Sequence, residues 1–420
     1  MNTIQPLQRI REYPWLVRGI IILHLGLGLS YASLWFTLAQ QGLFWRADFT
    51  AFYTGWVIVR DGQGPRLYEL ELQKREQADI LKGQSFGDGL LPYDYPPHAA
   101  VPFVPLALLP RTTAFWVWSI GQVMLLVWLW RLLQHIAENW KPYERWLLLS
   151  AVIAFPPLLF TFQLGAFSLL TLICVLQAYI MLKRGREAQA GLWLVLGTLK
   201  PQAVVMPGLM LVAARRWRAL GSGLIAGGVT VILTSLVLGW RIWLDFLEII
   251  QHMATLFDVY GIVPTAMYNV KGTLALALGN QQGALINLIS LMVLGGGVVG
   301  TLLLWRGPWR PDEPSFELRM GLTIILGMLC SPHLYPQDSL MLIAPAILFY
   351  IYLRRRGQPS GLYVTFVLSL PLLFLVSEFV VGTQLGVRPP VLAMSALALW
   401  MGKALGDASK LRWAALRSSD

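Results

Sequence analysis

A stretch of about twenty apolar residues is long enough to cross a bilayer of about 30 Å as a helix, and this chain carries one such stretch after another. Apolar runs occupy 17–39, 113–133, 146–162, 166–182, 218–239, 283–305, 318–332, 338–353, 361–381 and 390–402. With 56% hydrophobic residues, 13% charged and a mean hydropathy of +0.58, little of the chain is left to make a polar exterior. In lipid, a single run can satisfy its backbone only as a helix, so the expected class is an all-α polytopic membrane protein. Eighteen tryptophans and fourteen tyrosines suit many lipid–water crossings. The first run is too long for a removable signal peptide and lacks a small-residue cleavage site, so it is expected to stay as a span.

Charge then sets the orientation. Seven clusters, from Arg9, Arg11 and Arg18 through Lys183, Arg184 and Arg186 to Lys403, Lys410, Arg412 and Arg417, hold 22 of the 33 basic residues. The positive-inside rule puts all seven in the cytoplasm, with both termini, and puts loops 40–112 and 240–282 on the other face. "KRGR" at 183–186 and "RRWR" at 215–218 then lie on the same side, so segment 188–214 has to go in and come back. It is too short for two full spans, and "LKPQ" at 199–202 breaks it. The expectation is two half-helices meeting at Lys200 and Pro201, an arrangement tolerated where it lines a polar cavity or is packed in protein. Counting the pair, the chain has about twelve membrane segments.

The net charge of +11 follows this topology and does not mark a nucleic-acid partner. Cys174 and Cys330 both sit in apolar runs, which leaves no disulfide framework or CxxC site. No nucleotide-binding fingerprint is present. The five histidines are scattered and no HxH or paired-aspartate spacing occurs, so no metal or other cofactor is expected.

Ionisable groups near the membrane are therefore the functional pointers. Loop 40–112 is the longest polar stretch and carries eight acidic residues from Asp48 to Asp94. It begins with "RADFTAFYTGW" at 46–56, where Trp45, Phe49, Phe52 and Trp56 share one helical stripe. That stripe suggests a helix lying in the outer interface, with Asp48 at the edge of its aromatic face.

Asp48 after the first span, "GPRLYEL" at 64–70, "YDYPP" at 93–97, "TFQLGAFSLL" at 161–170, "GTLKPQ" at 197–202 followed by "RRWRAL", and "SPHLYPQDSLML" at 331–342 together resemble glycosyltransferase family 87. The resemblance rests on the order of the motifs. It implies a GT-C-type membrane enzyme, one domain over 1–405 with a cytoplasmic tail at 406–420. Such an enzyme moves a hexose, typically mannose, from a polyprenyl-phosphate carrier to a lipid or glycan acceptor at the extracytoplasmic face of the cell membrane. It also assigns the aspartate of the first outer loop, here Asp48, as general base for an inverting transfer. After the "SP" pair, where members often show a serine-tryptophan and histidine pattern, this chain has His333, Tyr335, Gln337 and Asp338.

Candidate substrate-binding residues are Arg46, Lys200, Gln163, Tyr95, His333 and Asp338. Lys200 is either a cation held for the carrier phosphate or a lysine snorkelling at a half-helix end. Arg46 binds the same phosphate or anchors at headgroups. Asp338 faces the cavity with His333 or caps the apolar run that follows. Gln163 bonds sugar hydroxyls or caps a turn, and Tyr95 shapes the return of the first loop. Broken helices and buried charge serve a secondary transporter or lipid flippase equally well. Against that reading stands the seventy-residue outer loop.

Overall fold

The computed structural model describes residues 14–357, 361–377 and 388–417. Within them the regular secondary structure is helical, apart from one isolated bridge between Val259 and Ile262. Six helical stretches are long and apolar enough to cross a membrane: Pro14–Gln40 (α1), Arg111–Ile136, Trp217–Leu238, Gly283–Leu304, Pro336–Arg355 and Pro389–Ala408. The pair Pro142–Ile153 and Pro156–Leu164, bent by 44° at Pro156, adds a seventh. Leu224, Leu236 and Leu399 are each about three-quarters exposed, as side chains facing lipid are.

Twelve segments were expected, and by length and apolarity alone the described residues supply six or seven. The remaining expected segments are shorter helices, including Ser168–Lys183 and Ser315–Leu329. Both are buried almost throughout by other helices, so protein rather than lipid sets their length.

One expected break is present in detail. Helix Glu187–Leu196 (α2) is followed by a tight turn, Gly197–Leu199, and helix Pro201–Ala213 (α3) starts after Lys200. Proline is at the first position of α3, where its missing N–H is not required. Both free ends of this pair lie together: Glu187 is ion-paired with Arg216. The tip at Lys200 lies at the other end of the bundle, against Ser168. The chain therefore goes in along α2 and returns along α3. Gly191 lets α2 lie directly on the helix Trp217–Leu238, since a Cβ there would sit 2.1 Å from the Ala219 carbonyl oxygen.

The basic clusters collect at one end. Glu317, 1% exposed, accepts from Lys183 at 2.9 Å and Arg355 at 3.1 Å, and Glu144 pairs with Arg354. Arg216 stacks on Trp309, 5.0 Å from the ring centre. The opposite end is capped by the two long polar loops. Phe246 packs on Tyr68 at 5.7 Å, and the Tyr260 N–H donates to Asp88 at 2.8 Å.

The aromatic stripe has a different neighbour from the one expected. Helix Asp48–Arg60 (α4) is buried on all sides from Phe49 to Ile58, so it is a core element of the cap, covered by protein and not by headgroups. Phe49, Phe52 and Trp56 are fully enclosed by Phe115, Trp118, Tyr95, Phe103 and Phe167. An interfacial stripe and a core stripe share the same 3.6-residue period, and only the partner distinguishes them. The Trp45 side chain lies outside the described residues.

The hairpin of half-helices makes a topological prediction. Single cysteines replacing Arg186 and Arg218, both exposed, should react with an impermeant thiol reagent from the same side of the membrane. Cysteines at Gln84 and Gln281 should react from the other side. The native Cys174 and Cys330 are buried and should stay silent. Labelling of 186 and 218 from opposite sides would exclude the hairpin.

Candidate active site

Where the cap meets the bundle there is a cavity of about 410 Å³. Its wall includes Asp48, Asp94, Tyr95, Lys200, Lys271, His333, Gln337 and Asp338. Four parts of the chain bring Asp48, Asp94, Lys200 and Asp338 to it, and the stretch 246–271, with Lys271, lines it as well.

The first is the start of α4. Asp48 is its first helical residue, and the packed stripe behind it holds the helix in place. The Gln337 side-chain amide donates to Asp48 Oδ2 at 3.2 Å. Otherwise protein encloses this carboxylate except on its cavity side. Burial pushes its pKa up to about 6, against the pull of Lys200; Asp338 and Asp94 add to the rise.

The second part is the extended segment 90–96, which has no helix to satisfy its backbone. Two glutamines supply the missing partners from helix Leu70–Leu81 (α5). Gln73 accepts from Tyr93 N–H at 2.7 Å, and Gln77 accepts from Leu91 N–H at 2.7 Å while donating to the Leu91 carbonyl at 2.9 Å. Tyr93 lies on Gly55 of α4, where a Cβ would come within 2.7 Å of its ring. This clamp presents Asp94 and Tyr95 to the cavity. Burial raises the Asp94 pKa and lowers that of His333, while each opposes the other's shift by charge.

Third is the half-helix tip. Lys200 Nζ donates to Ser168 Oγ at 3.1 Å and is ion-paired with Asp338. Ser168 Oγ also donates to Asp338 Oδ1 at 2.8 Å. Lys200 is thus neither a snorkelling lysine nor an unengaged cation, since its charge is matched before any ligand arrives.

The fourth part, 331–342, brings Ser331, His333, Tyr335, Gln337 and Asp338 to the wall. The Tyr335 hydroxyl accepts from Val263 N–H at 2.9 Å and donates to the Gly261 carbonyl at 3.3 Å, and the Asn269 amide donates to the Ser331 carbonyl at 2.9 Å. Both expectations for Asp338 are met together: it lines the cavity, and its Oδ2 accepts from Tyr335 N–H at 3.4 Å at the start of the helical turn.

Of the residues singled out from sequence, the cavity brings together Asp48, Tyr95, Lys200, His333 and Asp338. Arg46 is exposed on the turn Leu43–Arg46, and Gln163 is half-buried near the end of helix Pro156–Leu164; neither is among the lining residues. Lys271 and Ser168 escaped notice because each is one polar residue at the edge of an apolar run. Among the described residues, no three His, Cys, Asp or Glu side chains are placed to share a metal ion.

The sequence profile of glycosyltransferase family 87 matches residues 93–332, more than half of the chain. The chain belongs to that family. A family 87 chain with these apolar helices is a multi-pass membrane protein. It is 26% identical over 284 residues to a protein of Mycolicibacterium smegmatis named polyprenol-phosphate-mannose-dependent alpha-(1-2)-phosphatidylinositol pentamannoside mannosyltransferase. That alignment covers 67% of this chain and 63% of the relative. No solved structure matches it.

The Lys200–Asp338 pair makes a stability prediction. Asp338→Asn leaves a buried ammonium without its counter-charge, which costs about 3 kcal/mol or more. Thermal unfolding in detergent should show a clear drop in Tm. The double variant Lys200→Met, Asp338→Leu should recover most of it, because the uncompensated charge is gone. Equal losses in the single and double variants would mean that the pair holds nothing together.

Proposed function

We propose that this protein is a membrane glycosyltransferase that takes a hexose, mannose in the first instance, from a polyprenyl-phosphate carrier and passes it to a lipid or glycan hydroxyl. The observation that carries the reading is the placement of Asp48. A carboxylate with a raised pKa, oriented by Gln337 and enclosed except towards a cavity, is what a general base for hydroxyl attack requires. Membership of family 87 and the printed name of the relative support the reaction class and the donor.

In the proposed step the acceptor hydroxyl gives its proton to Asp48 as its oxygen attacks the anomeric carbon. The bond from that carbon to the phosphate oxygen breaks on the opposite face, and its electron pair leaves with the carrier phosphate. Attack and departure on opposite faces invert the anomeric centre. The phosphate departs without strong protonation, so the chemistry asks for one base and for cationic support at the leaving group. Metal independence and the absence of any other cofactor are part of the proposal, and EDTA should leave the rate unchanged.

The charge distribution supports the orientation. The basic end belongs in the cytoplasm, with both termini, and the capped end with its cavity opens on the extracytoplasmic face. In this orientation the cavity, between cap and bundle, would meet the carrier lipid at its headgroup.

The test is transfer by purified protein from radiolabelled polyprenyl-phosphate sugars to a membrane lipid extract. Labelled product with inverted configuration is expected with the mannosyl donor, and no transfer from any donor would overturn the reading. Asp48→Asn keeps shape but cannot take up a proton, and should cut turnover by at least about a hundredfold. In the wild type, kcat/KM should fall about tenfold per pH unit below about 6, because the carboxylate must be ionised to act and protonation removes it. Near-normal turnover by a folded Asp48→Asn enzyme would pass the role to Asp94.

A further inference from the structure

Lys271 lines the cavity, and the step above makes no use of it. It stands at the start of helix Val270–Leu278 (α6), which Asn269 caps by accepting from Gly272 N–H at 2.8 Å. The residue is 4% exposed. The carboxylates of the cavity, its histidine and its other lysine have counterparts. Asp338 has Lys200 and Ser168, Asp48 has Gln337, and Asp94 and His333 oppose one another. Lys271 has instead the Ala254 carbonyl, a distant 3.5 Å from Nζ, and the Phe257 ring at 5.3 Å. No carboxylate pairs with it among the described residues, although a buried ammonium ordinarily demands one. Burial lowers its pKa, so the charged form stands to gain from an arriving anion.

Part of the cavity wall is apolar and continues to the outside of the protein. Ile250 and Val205 line the same cavity while being 41% and 46% exposed. A buried lysine without a counter-ion, in a cavity whose apolar lining continues onto an exposed surface, is matched by an amphiphile with an anionic head, whose charge would hold the amine protonated.

We propose that Lys271 is the cation that receives the phosphate of the carrier lipid, with Lys200 retained in its pair with Asp338. The proposal rests on the reading of the site as one for a polyprenyl-phosphate sugar. A phosphate oxygen at Nζ supplies the counter-charge that the protein withholds, and it holds the leaving group across the cavity from the base. Lys200 is then a positioning residue. It fixes the wall that carries Gln337, and through Gln337 the carboxylate of Asp48.

Farnesyl phosphate and uncharged farnesol are suitable probes, with binding measured on the full-length protein in detergent. The wild type should prefer the phosphate by at least tenfold. Lys271→Met should lose that preference, keep farnesol binding, and unfold no earlier than the wild type, since a buried charge has been replaced by an apolar chain of similar length. Its donor KM in the transfer assay should rise at least tenfold, with a smaller change in kcat. Lys271→Gln gives the same comparison if the methionine variant does not fold. A preference that survives in a folded Lys271 variant would overturn the assignment alone and leave the carrier reading standing. A wild type that does not distinguish farnesyl phosphate from farnesol would overturn the assignment and count against the carrier reading as well.

Discussion

The structure turns on a buried ion pair between residues 138 positions apart in the chain. Lys200 and Asp338 are 5% and 9% exposed in their side chains, and in an apolar bundle each would be costly alone. Together with Ser168 they join the start of one core helix, the tip of the half-helix pair and the segment after the helix Ser315–Leu329. An apolar contact at the same place would hold these elements with less directional constraint, since dispersion and hydrophobic burial are non-directional. Hydrogen bonds to a charged group specify where each backbone must be. The residue next to Asp338 is Gln337, which bonds Asp48, so the geometry of the pair is passed directly to the carboxylate of the cap.

The cap is held by a different kind of force. Its aromatic cluster gives α4 a rigid seat by burying large faces in edge-to-face and tilted packings, such as Phe52 on Tyr95 at 4.6 Å and 88°. Where the backbone leaves regular structure, polar groups take over, as with Gln73 and Gln77 along the extended segment 90–93. The division suits a site that has to keep a carboxylate dry enough to be basic and still reachable. Apolar packing supplies the desolvation that raises the Asp48 pKa to about 6, and the cavity supplies the access.

Charge is sorted between the two ends of the molecule as well as within the site. At the basic end, Glu317 and Glu144 each gather arginine or lysine side chains from separate loops, which turns a topogenic signal into tertiary ties. At the capped end many ionisable groups are exposed, while Asp338, Lys200 and Lys271 are buried at the cavity. Inside the cavity, a substrate with an anionic head and a hydrocarbon tail meets the buried lysines Lys200 and Lys271.

What could be read from the chain alone was whatever is local or periodic. Apolar run lengths specified the helices, the clustering of arginine and lysine marked one end, and the conflict between "KRGR", "RRWR" and the short segment between them required the hairpin at Lys200 that the structure contains. The order of motifs was enough to name the family before any geometry was available. Partners were not readable. The stripe of Phe49, Phe52 and Trp56 has the same period whether lipid or Trp118 covers it, and nothing near Lys200 in the sequence announces Asp338. Lys271 is a single charge at the start of an ordinary apolar helix, and only the enclosure around it makes that charge exceptional. Periodicity and charge bias act over a few residues of contiguous chain, so sequence carries them. Counter-ions, burial and the walls of a cavity come from segments far apart, and packing alone decides which of them meet.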